Sequence, residues 1–270
     1  MYSYLLPSAI SLPLGYNCKI FFTRSNLNQR IISNINYEIL VSIKAYREGE
    51  IFFKKEITLD KENKLTKIDI NINDQQNLSK FSGYAELEIF EINKKPVFKS
   101  RSVLNFYSIY YSDNKKSFLS DNAYKYGSPA VINQISFIKK YLDAYPTITI
   151  DKNRDLGETI VLINPYNKNI YATLLSNDGR KINGVLIKSR SSKEINLSSL
   201  LINDEKFWSG HIQIKASNRI ITFNYKHSFK DNKIISDYEH LDPFRGDPTF
   251  VPFTRFIRIK MGEIIEKFFG

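Results

Sequence analysis

The sequence predicts a mainly β protein, built as two antiparallel β-sandwich-like domains with a repeated order of elements that points to duplication, followed by a C-terminal amphipathic helix. Three observations lead there. Short segments rich in Ile, Val, Phe and Tyr recur from one end of the chain to the other, bounded by Asn, Asp, Gly or Lys clusters. In Tyr84-Ala85-Glu86-Leu87-Glu88-Ile89-Phe90 the two carboxylates share one face and Leu87 and Ile89 the other, which is the period of a half-buried strand. Turn signals in the first part of the chain return in the same order in the second, one domain length later.

Taken in order, the first apolar residues are Leu5, Leu6, Ile10 and Leu12. Pro7 and Pro13 interrupt them and no Lys or Arg precedes them, unlike the layout of a secretory signal. No apolar run is long enough to span a bilayer as a helix, and the single Cys18 allows no intramolecular disulfide or thiolate metal cluster. The expectation is a cytoplasmic protein without cofactor or metal. Strands are predicted at 19–23, 37–46, 51–58, 67–72, 83–92 and 97–107, forming a first sandwich within 1–110. A second set, at 159–163, 170–175, 185–188, 193–197, 210–216 and 219–225, forms another within 151–230. Asn177-Asp178-Gly179 is a hairpin turn signal, because these residues tolerate positive φ, and Ser217-Asn218 reads as a second short hairpin turn.

The two sets run parallel. Arg47-Glu48-Gly49 matches Asn177-Asp178-Gly179, Phe81-Ser82-Gly83-Tyr84 matches Trp208-Ser209-Gly210-His211, and Lys94-Lys95-Pro96 matches Ser217-Asn218. The run Glu158-Thr159-Ile160-Val161-Leu162-Ile163-Asn164-Pro165 leads into an Asn-rich turn, a second strand, a Gly turn and a late strand pair. In this the segment 157–228 resembles the sensory rhodopsin transducer family of small β-sandwiches. The resemblance implies a sandwich fold and self-association, and carries over no functional residue.

Between the sets, a connector at 111–150 holds Ser112-Asp113-Asn114-Lys115-Lys116 and several tyrosines. Its later part, 131–144, has apolar residues at Val131, Ile132, Ile135, Ile138, Tyr141 and Leu142, the spacing of a short amphipathic helix ending before Pro146. The region 231–270 opens with the loop Asp242-Pro243-Phe244-Arg245-Gly246-Asp247-Pro248. It closes with Phe256, Ile257, Met261, Ile264, Ile265 and Phe268 on one helical face.

Candidate sites follow from residue chemistry. Tyr111, Asn122, Tyr124 and Tyr126 make the connector aromatic enough to stack on a ligand such as a sugar ring. His240 with Glu239, Asp242, Arg245 and Asp247 is the densest set of catalysis-capable side chains: a carboxylate can orient the histidine and the arginine can hold an anion. His211 and His227, read as sitting on hairpin partners, could approach each other but lack a third metal ligand. No GxSxG elbow, phosphate loop or dinucleotide fingerprint is present. The net charge of +11 admits nucleic acid as a partner, although Lys far outnumbers Arg in an Asn- and Ile-rich composition that makes codon bias a sufficient cause.

The leading expectation is therefore a non-catalytic binding or assembly protein on β-sandwich modules, with a protein or glycan partner and homo-oligomerisation through the C-terminal helix. A carbohydrate-active enzyme or accessory factor using the 239–247 loop is the alternative, and a nucleic-acid-binding protein the second.

Overall fold

A computed structural model describes residues 8–23, 39–59, 64–71, 82–91, 107–111, 119–120, 141–144, 146–217, 220–235 and 239–241. It is mainly β, with strands assembled into four antiparallel sheets. The first half contributes β1 (Ser8–Leu12), β2 (Asn17–Phe22), β3 (Ile39–Arg47), β4 (Glu50–Leu59), β5 (Thr66–Ile70), β6 (Gly83–Glu91), β7 (Tyr107–Tyr111) and β8 (Leu119–Ser120). The second contributes β9 (Tyr141–Ala144), β10 (Thr147–Asp151), β11 (Gly157–Asn164), β12 (Ile170–Ser176), β13 (Lys181–Ile187), β14 (Ser191–Asn196), β15 (Phe207–Ala216), β16 (Ile221–His227) and β17 (Glu239–Leu241).

Sheet I runs β1-β6-β3-β4, sheet II β5-β2-β7-β8, sheet III β14-β11-β16-β17 and sheet IV β10-β15-β12-β13, with β9 also on β15. Raising each strand number of sheet I by nine reproduces sheet IV, and the same step turns sheet II into sheet III. The two halves thus share one strand order. They also share a local device. At Gly83 a Cβ would lie 2.5 Å from the Tyr46 carbonyl oxygen, and at Gly210 one would lie 2.5 Å from Asn177 Oδ1. In each half a Ser-Gly step lets the long central strand pass against the start of the neighbouring hairpin turn.

Side-chain alternation builds two cores. In β11, Ile160 and Leu162 join Ile148, Ile150, Ala172, Leu174, Trp208, Ile212 and Ile214 of sheet IV. Val161 and Ile163, on the opposite face, join a cluster with Phe223 and Tyr225 that extends into Ile10, Ile43, Ala85, Ile20 and Tyr110 of the first half. Every residue of β11 is buried. Its run of consecutive apolar residues is that of a strand covered on both faces. Sheet III is therefore a layer shared by both halves.

Several sequence expectations change. Residues 141–144, expected as the end of a helix, form β9 on the C-terminal half of β15, while 131–140 lie outside the described residues. Pro146 separates β9 from β10, and its carbonyl accepts the Ile212 N–H at 3.0 Å. An interrupted edge strand tolerates proline and satisfies an existing sheet edge, which outweighs a helical spacing of apolar residues. Two strands of sheet IV thus come from the span expected as connector. Ser217-Asn218 does not join a hairpin, because β15 belongs to sheet IV and β16 to sheet III. Of the first-half strand expected at 97–107 only Tyr107 is described, within β7; 97–106 lie outside the described residues. Lys94-Lys95-Pro96 and the expected C-terminal helix also lie outside them.

Candidate binding surface

Of the connector residues singled out above, Tyr111 is described and closes β7; Asn122, Tyr124 and Tyr126 lie outside the described residues. In the chain they follow β8, the last strand of the sheet that carries Tyr111. His240 lies on β17 opposite Phe223, and Asp242, Arg245 and Asp247 lie outside the described residues. His211 and His227 are not hairpin partners. Their strands belong to different sheets, so they form no shared site through strand pairing. Among the described residues there is no group of three or more His, Cys, Asp or Glu side chains able to hold a metal ion. No helix among them is long and apolar enough to cross a membrane.

Tyr111 belongs to the outward face of sheet II. The inward face carries Cys18, Ile20, Ile68, Ile70 and Tyr110, so alternation turns Lys19 and Phe21 on β2, Lys67 and Asp69 on β5, and Tyr107, Ile109 and Tyr111 on β7 the other way. Register sets Tyr107 opposite Phe21 and Ile109 opposite Lys19. The Lys19 ammonium sits 4.2 Å from the Tyr111 ring centroid, and the Tyr111 hydroxyl donates to Asn71 Oδ1 at 2.9 Å. Lys67 pairs with Asp69 at 3.2 Å. Tyr107 is 56% exposed although it occupies a strand position. An aromatic row backed by a rigid sheet and edged by lysines presents a flat contact surface at little conformational cost. Sequence reasoning picked out Tyr111 but not Lys19 or Asn71, because only the pairing of β2, β5 and β7 brings them beside it.

The other concentration of charge lies between the halves. Arg190 Nη1 donates to Glu86 Oε1 at 2.6 Å, and its guanidinium lies 5.5 Å from the Tyr46 ring centroid. The Tyr84 hydroxyl donates to the same oxygen at 3.2 Å, and Tyr84 stacks on Tyr46 at 5.2 Å between centroids. Burial pushes the Tyr84 hydroxyl well above the ordinary tyrosine range, with the Glu86 carboxylate adding to it. Ser192 Oγ donates to Ser82 Oγ at 3.0 Å, and the Gly49 N–H donates to the Arg190 carbonyl at 3.1 Å. On β14, Glu194 accepts from the Leu14 N–H at 2.9 Å and from the Tyr225 hydroxyl at 3.0 Å. Loss of hydration raises its carboxyl pKa, and these two donors with the Arg47 charge oppose the rise. All of these bonds hold sheet III against the first half or stiffen the residues that do so. Each joins groups within the fold, so we read the charged cluster as structural.

Cys18 is buried, and desolvation raises its thiol far out of the reactive range, which excludes it as a nucleophile in the folded chain. His227 is buried with Nδ1 3.3 Å from Thr159 Oγ1 and Nε2 3.5 Å from Asn196 Nδ2, between the rings of Tyr225 and Phe229. Burial lowers its pKa, and the Asp155 carboxylate opposes this in part. A histidine depressed in the folded state takes up its proton first in the unfolded chain. Its contribution is thus complete above about pH 6.5, the unfolded value, and is lost as pH falls toward the folded one. Urea midpoints at pH 7.5 and pH 5 test this: the drop on acidification is expected to be smaller in His227→Gln than in the native chain, and an equal drop would exclude His227 as a source.

The described residues form a mainly β protein whose Arg190–Glu86 pair lies between its halves and whose sheet II turns Lys19, Phe21, Tyr107, Ile109 and Tyr111 outward. The chain matches no protein-family model and no curated protein.

Proposed function

We propose that the protein is a non-catalytic binding or assembly factor that works through flat β-sheet faces, and that its halves arose by duplication of one sandwich module. The shared strand order and the paired Ser-Gly devices support the duplication. The observation that carries the function is the outward face of sheet II, which gathers Tyr107, Phe21, Ile109 and Tyr111, with Lys19 opposite Ile109 and Lys67 opposite Phe21. Aromatic and aliphatic side chains ringed by polar ones are the anatomy of a protein contact surface, so the partner class is protein.

A photo-crosslinking residue at position 107, with position 152 in an exposed turn as control, tests this in cells. A discrete protein adduct from position 107 and none from 152 is the expected result. Equal labelling from both, or none from either, would overturn the reading. A glycan is the second reading, supported by Tyr111 held through Asn71 beside an ammonium group. Retarded migration in gels containing polysaccharide, lost in Tyr107→Ala, would favour it over protein.

A further inference from the structure

The geometry points to head-to-tail self-association, with the outward face of sheet II on one copy seating on the outward face of sheet IV on the next. The inference rests on the reading of the chain as an assembly protein made of two equivalent modules. Its template is inside the molecule. The halves dock through unlike surfaces: Tyr46, Tyr84 and Glu86 of sheet I meet the side of sheet III that carries Ser192 and Glu194, with Arg190 at its margin. Sheet IV has the strand order of sheet I, and sheet II that of sheet III. Docking unlike faces within one chain consumes one of each kind and leaves one of each kind open. The open pair is sheet II and sheet IV.

Both open faces carry apolar side chains on strands. Sheet II offers Tyr107 opposite Phe21. On sheet IV, Tyr171 is 54% exposed and stands directly opposite Leu186, which is 39% exposed. Through the common Ser-Gly step, Ser209, His211 and Gln213 of β15 occupy the places that Ser82, Tyr84 and Glu86 hold in the internal contact. An interface between two different patches is heterologous, and repeated addition extends it beyond a dimer. Lysines lie on both faces, Lys19 and Lys67 on one, Lys181 and Lys215 on the other, so salt that screens their repulsion strengthens the contact.

The test uses the full chain, light scattering after size exclusion, and the variants Tyr107→Glu and Tyr171→Glu, each checked for an unchanged far-ultraviolet circular dichroism spectrum. The native chain is expected to grow in mass with concentration past the dimer, and more so at 0.5 M than at 0.05 M salt, because the Debye length falls from above about 10 Å to well below it across this range. Each variant alone is expected to be monomeric. An equimolar mixture is expected to stop at a dimer, because each variant keeps the face that the other has lost. Loss of assembly from Tyr107→Glu only, with no recovery in the mixture, would show like-to-like pairing and overturn the inference. A native chain that stays monomeric throughout would overturn it too. In that case a position-107 adduct to a different protein leaves the binding reading standing, and absence of any adduct removes both.

Discussion

Replacing Arg190 with alanine is expected to lower stability by about 1.5–3 kcal/mol, the range for a hydrogen bond to a charged group and less than for a fully buried pair because the Arg190 side chain is 28% exposed, and to loosen both halves together. The carboxylate it pairs with, Glu86, is only 5% exposed at its side chain, so the variant leaves a poorly hydrated negative charge with the Tyr84 hydroxyl still donating to it. The size of the loss reflects that stranded charge rather than the worth of the pair. Glu86→Gln in the same molecule is therefore expected to recover part of it, a non-additivity that a double-mutant cycle reads directly. The chain supplies one reporter for each half: its single cysteine, Cys18, is buried in the first and its single tryptophan, Trp208, in the second. With sheet III shared by both cores, Cys18 labelling and Trp208 fluorescence should change at one urea concentration, in the native chain and lower in the variant. Cys18 becoming reactive while Trp208 fluorescence is still native would show instead that the halves unfold separately.

A comparable loss is expected at Asn164, the last residue of β11 and fully buried. Its Nδ2 donates to the carbonyls of Lys168 at 2.6 Å, Lys188 at 2.9 Å and Ile187 at 3.1 Å, while its Oδ1 accepts the Tyr166 N–H at 3.0 Å. One amide thus ties the β11–β12 turn to the end of β13. Asn164→Ala removes these bonds and leaves buried backbone groups unmatched, at a cost of about 3 kcal/mol given roughly 1–3 kcal/mol for each such group. Asn164→Asp keeps the size but replaces the donor with a carboxylate facing carbonyl oxygens. Its folded-state pKa is raised, so its stability falls as pH climbs from about 4, the unfolded value, through the folded one. The gap in urea midpoint between Asn164→Asp and the native chain should be wider at pH 8 than at pH 5. A gap that narrows with pH would contradict the donor role assigned to Nδ2.

Local pattern revealed most of the strands, and the limits of that pattern are equally local. The Glu86 and Leu87 alternation identified β6 correctly, yet nothing in it distinguishes a carboxylate facing water from one facing Arg190 a hundred residues away. The strand expected at 159–163 is β11, and its two-sided burial became visible only with both cores in place. Asn177-Asp178-Gly179 does close a turn, with the Gly179 N–H donating to Ser176 O at 3.2 Å. Around it Arg180 pairs with Asp178 at 2.8 Å and with Glu205, and the Trp208 Nε1–H donates to Asp178 at 2.9 Å. The hydrogen bonds from Ser176 and Trp208, with the Arg180 charge, hold the Asp178 carboxyl down at about 2. Here turn chemistry was legible and its tertiary clasp was not. Ser217-Asn218 failed for the converse reason: short polar residues between two strands look alike whether the chain folds back within a sheet or crosses to another.

The candidate surface divides in the same way. Tyr111 stood out as one of several aromatic residues in the span read as a connector, whereas Lys19 and Asn71 come beside it from segments far apart in sequence. By itself, the amino-acid order determined that this chain is mainly β, where most strands run, which faces alternate, and that it folds without an internal disulfide. It also carried the paired Ser-Gly steps that mark corresponding strands. Only the tertiary structure decided which sheet each strand enters, that sheet III is covered on both sides, and which sheet faces remain open. The reason is physical: φ, ψ and side-chain alternation are set by near neighbours, while the partner across a ladder or a layer is chosen by the free energy of burying the whole face.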